Sequence, residues 1–298
     1  MSIQITTIIC TFRRDSLLQT LQSISQITLP EGISFKVVVV DNDDQPSAKD
    51  KVLSVALPWP LEYIHAPARN ISLARNAGLN SAQASNWVAY VDDDETVSPD
   101  WLKELWSVAQ SQDADVVLGP ALAVYPDYTP TWMVELDLHS SKPVLKASPP
   151  HTGHTCNVLF KWSGTPWQDT RFELARGLTG GEDTAFFFEL SKLGAKFAIA
   201  DRAEAFEVVE DRRMSFNWLA RRKFRMGQSY STVAHGTISR VKLGGLAAIK
   251  CVASFSMYCL NIGREVRRNF WLLRAIFHAG VVGGCLNLSQ QKLYEAPN

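Results

Sequence analysis

Four acidic residues stand together directly after a short apolar run in this sequence. Residues 88–91 read Val-Ala-Tyr-Val, and Asp92, Asp93, Asp94 and Glu95 follow without interruption. Neighbouring carboxylates repel one another unless a cation lies among them. Mg²⁺ and Mn²⁺ prefer a few carboxylates and fill their remaining positions with water and phosphate oxygens. The cluster therefore predicts a divalent-cation site that also takes a nucleoside diphosphate.

A second acidic pair, Glu182 and Asp183, follows the glycines Gly180 and Gly181. Glycine turns the backbone freely, and the residues after the pair have helical spacing. Both carboxylates are therefore expected at the start of a helix, where they can face a pocket. Capping is the simpler interpretation, since acids are favoured in the first turn of any helix. For the earlier cluster, the simpler interpretation is a solvated turn before the next helix, whose better cap is Ser98.

The spacing of apolar residues predicts the elements that must position these acids. From residue 3 to about residue 123, short β-branched runs alternate with segments of helical period, which is typical of βαβ units and a parallel sheet. Connections between parallel strands are right-handed, so the carboxyl ends of the strands share one edge, where ligands bind. The predicted strands cover residues 3–10, 35–40, 61–64, 87–91 and 116–121.

Polar residues also follow the other strands of this predicted sheet. Thr11, Phe12 and Arg13 leave the first strand, and Asp41 leaves the second. Backbone groups near Thr11 and the Asp41 carboxylate could hold a base and a ribose. Arg75 lies in a helix whose N-terminal N–H groups suit a diphosphate. The alternatives are helix caps, turns and a surface helix whose arginines pair with acids.

The second half of the chain predicts further elements. Residues 125–150 are rich in proline and aromatic side chains and are expected to form an irregular segment that covers a substrate. Strands are predicted at 155–162 and 196–200, and helices at 183–193 and 216–232. The second acidic pair thus lies at the start of the first of these helices.

Cations gather on the last of these helices. Arg221, Arg222, Lys223 and Arg225 alternate there with aromatic side chains. Because basic and acidic residues balance over the whole chain, this pattern favours a small bound anion such as pyrophosphate over nucleic acid. A solvated helix face is the alternative interpretation.

Residues 236–298 combine apolar residues at near-helical spacing with several arginines. Such a segment can lie in a membrane interface, and a helical pair packed on the preceding domain is the equal alternative. Residues 244–263 have the length of a membrane span, but they include Lys250 and three polar residues, which argue against crossing.

The composition narrows the class of protein. Apolar residues make up 46% of 298 residues, which indicates a folded globular protein, and 30 basic residues balance 30 acidic ones, so no global field recruits nucleic acid. Five scattered cysteines show no zinc or redox spacing and favour a reduced compartment. No secretory signal precedes the first strand, so a cytoplasmic location is expected.

Four motifs occur in a fixed order along the first half of the chain. They are Thr11-Phe12-Arg13-Arg14, Val40-Asp41-Asn42-Asp43, Ala74-Arg75-Asn76-Ala77-Gly78 and Val91-Asp92-Asp93-Asp94-Glu95. Their order and spacing resemble those of the inverting family 2 glycosyltransferases with the GT-A fold. More narrowly, the chain resembles bacterial exopolysaccharide enzymes of the succinoglycan type, from residue 3 to about residue 227.

The resemblance implies a role for each residue on the donor side. Thr11 and Asp41 would contact the nucleotide base, and Phe12 and Arg13 belong to the same donor-binding segment. Arg75 would lie near the diphosphate. These residues together would hold a nucleotide sugar.

The resemblance also implies a metal, Mg²⁺ or Mn²⁺, that neutralises charge on the departing nucleoside diphosphate. Asp94 would ligate this metal together with Asp92, which also lies near the ribose, and Asp93 is both a donor contact and the alternative ligand. The family often has a histidine in the later region as a third ligand. No histidine stands there in this chain, and Glu207 or Glu210 is the substitute.

Glu182 and Asp183 resemble the ED motif of the same family. The resemblance implies that Asp183 is the general base that deprotonates the acceptor hydroxyl, with Glu182 orienting the acceptor or supporting the site. A single displacement would then invert the anomeric centre. Asn157 and the acidic segment 207–213 fit the family's arrangement around this motif.

These expectations amount to an α/β catalytic domain of GT-A type over residues 1–235, followed by a helical, membrane-associated extension, 236–298. Residues 1–123 would bind the nucleotide sugar, a UDP-sugar, and residues 124–235 the saccharide or lipid-linked acceptor, at the inner face of the cytoplasmic membrane. A metal-dependent nucleotidyltransferase is one alternative, although it normally has a glycine-rich loop after the first strand. A non-catalytic sugar- or lipid-binding module is another, but it leaves two acid clusters unexplained.

Overall fold

The computed structural model describes residues 2–178, 180–231 and 236–288. Within them the chain forms two compact units. The first unit contains the residues up to Val124 and Ser140–Val208, and the second contains Tyr125–His139 and the residues from Val209 onward. Each unit has its own arrangement of elements.

The first unit is an α/β unit with two sheets. Its strands are β1 Ile3–Thr11, β2 Ile33–Asp41, β3 Leu61–His65, β4 Trp87–Val91, β5 Glu95–Val97, β6 Val116–Leu118, β7 Ala121–Val124, β8 Asn157–Lys161, β9 Phe197–Ile199 and β10 Ala205–Val208. Its helices are α1 Leu17–Ser25, α2 Lys49–Leu53, α3 Ile71–Ser81, α4 Trp101–Ser111 and α6 Glu182–Lys192, while α5 belongs to the second unit.

Seven strands form the main sheet, in the order β3-β2-β1-β4-β8-β6-β9. β1 pairs in parallel with β2 and with β4, β2 pairs in parallel with β3, and β6 does so with β9. β8 is antiparallel to both of its neighbours, β4 and β6. The predicted, mostly parallel sheet is therefore confirmed, with β8 as the reversed strand.

The main sheet is buried on both faces. Val37, Val38, Val39 and Val40 of β2 are all fully buried, because helices cover both sides of the strand. A continuous β-branched run of this kind is what a strand buried on both faces requires. The helix α3 comes so close to β1 that a Cβ on Gly78 would lie 2.5 Å from an Ile8 methyl carbon.

The second sheet is small and lies beside the end of β4. Its order is β5-β10-β7, with β10 antiparallel to β5 and parallel to β7. The predicted strand 116–121 is thus two strands in different sheets, β6 and β7, separated at Gly119 and Pro120. Proline has no N–H group for a continuing ladder, which explains the break.

Helix starts differ from the prediction at one point. α4 begins at Trp101 with Asp100 as its N-cap, and the side chain of Asp100 caps nothing. The Trp101 N–H donates instead to the Ser98 carbonyl, and the Ser98 hydroxyl is buried without a hydrogen-bond partner. The prediction that Ser98 caps this helix through its side chain is therefore wrong.

The second unit is helical. Its helices are α5 Thr131–Leu136, α7 Phe216–Tyr230, α8 Thr237–Leu260 and α9 Glu265–Cys285. α7 and α9 pack backbone to backbone: a Cβ on Gly227 would lie 2.1 Å from the Phe277 carbonyl oxygen, and one on Gly280 would lie 2.0 Å from that of Phe224. This contact places α7 in the same compact unit as the C-terminal helices, and the predicted domain boundary between residues 235 and 236 stays a prediction.

The helix α8 has a largely apolar exposed side. Only Ala247 and Ser254 of this helix are buried, while Ile238, Ile249 and Leu260 are 75%, 68% and 79% exposed. In the part of the chain that the structure describes, α8 is the helix long and apolar enough to cross a membrane by length and composition. Core helices of soluble proteins also satisfy that criterion, but they are mostly buried and this one is not.

Candidate active site

The first acidic cluster forms the turn between the two sheets of the first unit. β4 ends at Val91 and β5 begins at Glu95, so Asp92, Asp93 and Asp94 connect them. The Asp92 N–H donates to Glu95 Oε2 at 3.1 Å, and the Glu95 N–H donates to the Asp92 carbonyl at 3.3 Å. Since β4 is buried between β1 and β8, the turn is held in a fixed position.

Burial disturbs the ionisation of these acids. Burial and the nearby Asp94 raise the pKa of Asp93 to about 7, and Thr11 opposes only part of that rise. Burial raises the pKa of Asp92 to about 7 as well, against the attraction of Arg75 and with repulsion from Asp94. The turn thus concentrates more negative charge than its surroundings neutralise.

The acidic turn fits a hard divalent cation. Asp93 Oδ2 is buried and accepts no hydrogen bond, so a cation would satisfy this oxygen and relieve its repulsion with Asp92 and Asp94. Among the described residues, no three His, Cys, Asp or Glu side chains are already grouped to hold a metal. Mg²⁺ and Mn²⁺ commonly take one or two carboxylates and complete their coordination with phosphate and water, so a partial ligand set is sufficient.

The remaining acid of the turn, Asp94, faces a cation of the first motif. Its Oδ2 lies 3.5 Å from Nη2 of Arg14. Across the strand pair β5–β10, Glu207 stands directly opposite Glu95 in the ladder, and its charge adds to the raised pKa of Asp92. Of the two glutamates predicted to substitute for a histidine ligand, Glu207 therefore lies near the turn.

Asp41, which was predicted to contact the nucleotide base, lies at the end of β2. The Asp41 carboxylate is fully buried and accepts hydrogen bonds from the Asp43 N–H, the Ala48 N–H and the Tyr63 hydroxyl at 3.1, 2.8 and 2.9 Å. In this structure it supports the turn after β2. Its predicted contact with a nucleotide base stays a prediction.

The first motif is tied to the same edge of the sheet. The Thr11 carbonyl accepts a hydrogen bond from the Asn42 N–H at 2.9 Å, which holds the end of β1 beside the end of β2. Arg13 has a φ of 53° and donates from Nε to Asp43 Oδ2 at 2.9 Å, and its guanidinium lies 5.3 Å from the Phe12 ring centroid. Thr11, Phe12 and Arg13 therefore line one short stretch of the sheet edge.

Arg75 connects the two acidic clusters. Its Nη1 donates to Glu182 Oε1 at 2.5 Å, and both side chains are 9% exposed. Burial alone would lower the pKa of Arg75, but the carboxylates of Glu182, Asp183 and Asp92 raise it above its ordinary value. The cation is thus shared between the turn after β4 and the start of α6.

The position of Arg75 is itself fixed by the core. The Tyr90 hydroxyl donates to the Arg75 carbonyl at 2.9 Å, and the guanidinium lies 5.4 Å from the Phe172 ring centroid. Two aromatic side chains and Glu182 therefore fix the position of Arg75. Whether it also contacts a diphosphate, as the resemblance implies, stays a prediction.

The second acidic pair begins α6, as predicted. Gly181 is the N-cap residue with a φ of 85°, and Glu182 and Asp183 occupy the first turn. The Glu182 carboxylate points to Arg75, whereas Asp183 Oδ1 accepts from the Thr184 N–H at 2.6 Å. The two carboxylates therefore have separate surroundings.

Asp183 has a histidine partner that the sequence did not indicate. His154 Nδ1 lies 3.1 Å from Asp183 Oδ2, and this hydrogen bond raises the pKa of His154 above its ordinary value. Burial would raise the pKa of Asp183, but the hydrogen bond and charge of His154, with Arg75, hold it below its usual range. The contact therefore favours the ionised carboxylate of Asp183 together with the protonated form of His154.

The antiparallel direction of β8 explains why His154 lies near the acidic turn. Because β8 is antiparallel to β4, its first residue, Asn157, pairs with Val91 at the end of β4. The residues just before β8 therefore reach the same edge as the acidic turn. Asn157 itself is fixed in the core, where its amide donates to the Pro120 and Ala203 carbonyls and accepts from the Trp101 indole.

Residues 6–165 match the family model described as glycosyl transferase family 2. The chain belongs to this family. It is 38% identical over 296 residues to the succinoglycan biosynthesis protein ExoM of Rhizobium meliloti strain 1021, covering 97% of this chain and 94% of that protein. It is also 33% identical over 99 residues to the succinoglycan biosynthesis protein ExoO of the same organism, covering 33% and 28% of the two chains.

Solved structures give the same fold. Residues 1–349 of TarS from S. aureus match with a TM-score of 0.54 and 15% identity, covering 93% of this chain and 92% of that one. The complex of TarS 1–349 with UDP-GlcNAc matches with a TM-score of 0.52 and 16% identity over the same shares. The predicted α/β fold of GT-A type and the predicted glycosyltransferase are both confirmed. The family membership therefore replaces the two alternatives, a nucleotidyltransferase and a non-catalytic binding module.

Proposed function

We propose that this glycosyltransferase moves a sugar from a nucleoside diphosphate sugar, a UDP-sugar, to a hydroxyl group of a saccharide or lipid-linked saccharide, with inversion and with a divalent metal. The observation that carries the proposal is the buried Arg75–Glu182 ion pair at the start of α6, whose guanidinium is also attracted by the carboxylates of Asp92 and Asp183. Asp92 belongs to the acidic turn suited to metal and diphosphate, and Asp183, paired with His154, is the carboxylate suited to take a proton.

The reaction follows from the separate surroundings of the two clusters. The acceptor oxygen forms a bond to the anomeric carbon while the bond from that carbon to the diphosphate oxygen breaks, and the nucleoside diphosphate leaves with the bonding electrons. Asp183 accepts the hydroxyl proton, and its lowered pKa keeps it ionised at neutral pH. Attack opposite to the leaving group inverts the anomeric centre.

The metal, when bound, supplies positive charge that offsets the charge on the leaving diphosphate. Asp92, Asp93 and Asp94 are the side chains that would hold it, and Asp93 Oδ2 is a buried oxygen that accepts no hydrogen bond. Arg75 ties the start of α6 to α3 through Glu182, which fixes the helix turn that carries Asp183.

Bacterial exopolysaccharide biosynthesis is the proposed setting. It is supported by the 38% identity to a succinoglycan biosynthesis protein along nearly the whole of both chains. The UDP-sugar is supported by the fold shared with TarS, which has been solved with UDP-GlcNAc and with UDP. The proposed location is the cytoplasm, at the inner face of the cytoplasmic membrane.

Membrane contact is proposed through the exposed side of α8. Ile238, Ile249 and Leu260 present apolar surface there, and Lys242 and Lys250 lie on the same helix. Lysines beside an apolar face are typical of a helix that lies in the interface of an anionic membrane. The two lysines argue for this position over a full crossing.

Purified protein should bind a nucleoside diphosphate only with Mg²⁺ or Mn²⁺, measured by calorimetry with uridine, guanosine and thymidine diphosphates. Asp94→Ala should weaken this binding. Asp183→Asn should leave it intact and remove sugar transfer, because the variant retains the metal turn but lacks the base. Metal-independent binding, or full transfer by Asp183→Asn, contradicts the proposal.

A further inference from the structure

The second unit contains a cleft of about 330 Å³ between α7 and α9, called here the α7–α9 cleft. Its apolar lining includes Leu138, Met226, Phe270 and Leu273. Leu273 is buried in the core of the unit, whereas Met226 and Phe270 are 45% and 39% exposed. The cleft therefore offers an apolar floor and partly open apolar walls, at a volume typical of ligand sites.

Three nitrogen-bearing side chains also line the α7–α9 cleft: Lys223, Arg274 and His278. Within the described ranges, none of the three forms an ion pair with a carboxylate. Burial and the neighbouring Arg222 lower the pKa of Lys223, and burial with Arg274 and Lys250 lowers the pKa of His278. Lys223 and Arg274 therefore bring positive charge to the cleft without a carboxylate partner among the described residues, whereas the lowered pKa of His278 favours its neutral form.

An apolar floor beside unpaired cations selects one kind of ligand. A free anion would satisfy the cations but leave Met226 and Phe270 in water, and an uncharged hydrocarbon would leave Lys223 and Arg274 unpaired. A molecule with a phosphate head and a hydrocarbon chain satisfies both requirements. Guanidinium and ammonium groups are the usual partners of phosphate.

We propose that the α7–α9 cleft binds the phosphate head and the first chain segment of an anionic lipid, with Lys223 and Arg274 on the phosphate and Met226 and Phe270 on the chain. The inference rests on the proposed function, because it selects the lipid-linked saccharide as the class of acceptor. All the residues that line the cleft belong to the second unit.

Calorimetric titration of the full chain tests the cleft with short soluble probes below their micellar concentrations. Octyl phosphate carries both features, octyl glucoside has the chain without the charge, and ethyl phosphate has the charge with almost no chain. Octyl phosphate should bind saturably, and the other two at least tenfold more weakly. Equal binding of octyl glucoside indicates a detergent-like surface, equal binding of ethyl phosphate indicates a free-phosphate site, and either result overturns the proposal.

Single substitutions test whether octyl phosphate binds in the α7–α9 cleft. Lys223→Met and Arg274→Gln should each weaken octyl phosphate binding about tenfold. Met226→Gln should weaken octyl phosphate and leave ethyl phosphate unchanged. Arg267→Gln is the matched control, since Arg267 is an exposed cation of α9 outside the cleft and its loss should change nothing. Circular dichroism checks that each variant is folded, and unchanged binding in folded Lys223→Met and Arg274→Gln refutes the assignment.

These titrations contain neither metal nor nucleotide sugar. Loss of metal-dependent nucleotide binding together with intact octyl phosphate binding counts against the proposed function alone. Intact nucleotide binding together with no octyl phosphate binding counts against the cleft alone.

Discussion

His154 Nδ1 and Asp183 Oδ2 lie 3.1 Å apart although 29 positions separate the two residues in the chain. The antiparallel strand β8 produces this meeting, since its start lies opposite the end of β4. A carboxylate proposed to receive a proton thus has a neighbour that holds it ionised. The pair makes the acidic side of the pH profile a sensitive probe of the site.

Replacing His154 should shift the acidic limb of the pH profile of sugar transfer. His154 holds the pKa of Asp183 below its ordinary value, and burial alone would raise it. In His154→Gln the acidic limb of kcat/KM for sugar transfer should therefore shift to higher pH, because Asp183 is protonated earlier as the pH falls. The measurement is transfer rate against pH.

His151→Gln is the control for this experiment. The His151 ring packs near Phe197, 5.4 Å between centroids, and the profile should stay where it is. An unmoved limb in His154→Gln, or an equal shift in both variants, contradicts the role given to His154.

Breaking the Arg75–Glu182 pair should destabilise the first unit. Both side chains are 9% exposed, so Glu182→Met leaves a buried guanidinium without its partner. The free energy of unfolding should fall by about 3 kcal/mol. Urea denaturation followed by circular dichroism measures the loss.

The double variant Arg75→Met, Glu182→Met should be less destabilised than the sum of the two single variants, because it removes both members of the ion pair together. Additive losses would mean that the two side chains act independently.

Metal binding should stabilise the protein more at high pH. Asp92 and Asp93 have pKa values of about 7 in the folded protein, above 3.8 in the unfolded chain, so their protonation favours the folded state. This contribution is complete below about pH 4 and is lost as pH rises through about 7. A cation that replaces the protons should therefore raise Tm more at pH 8 than at pH 6, measured by calorimetry with Mn²⁺.

Asp93→Asn should have a higher Tm than the parent protein at pH 8 without metal, since it removes one repelled charge. It should also respond less to Mn²⁺. Glu31→Gln, which changes an exposed acid away from the turn, should behave as the parent does. A Tm response to Mn²⁺ that is equal at both pH values argues against binding at the turn.

Ile249→Asn should reduce flotation of the protein with vesicles of anionic phospholipid about tenfold, because it removes an apolar side chain from the exposed side of α8. Leu53→Asn is matched to it, since Leu53 is 67% exposed on a helix of the first unit. Equal flotation of the two variants rules out α8 as the membrane contact.

The sequence predicted most of the first unit because its strands are buried on both faces. Runs such as 37–40 are continuous apolar segments, which are easily recognised as buried strands. β4 has the predicted bounds Trp87–Val91. The spacing of apolar residues does not indicate, however, whether a strand is parallel or antiparallel to its neighbours. The reversal of β8, and with it the place of His154, depends on tertiary pairing.

In the candidate site, too, local features could be predicted from the sequence and long-range contacts could not. Acids at strand and helix ends could be located from the elements alone, and Asp92 and Asp183 lie where the pattern put them. Partners far along the chain could not be located. Nothing near Arg75 indicates Glu182, 107 positions later, and nothing near Asp41 indicates that Tyr63 and Ala48 take up its oxygens.

The reversed strand also limits how the protein can be divided and in what order it can form. β6 pairs only with β8 and β9 among the described strands, and β4 has β8 as its second neighbour. A fragment that ends at Val124 would leave β6 unpaired and one edge of β4 open to aggregation. During synthesis, residues 1–124 must therefore wait for residues 157–199 before the main sheet can close, so these two segments fold together.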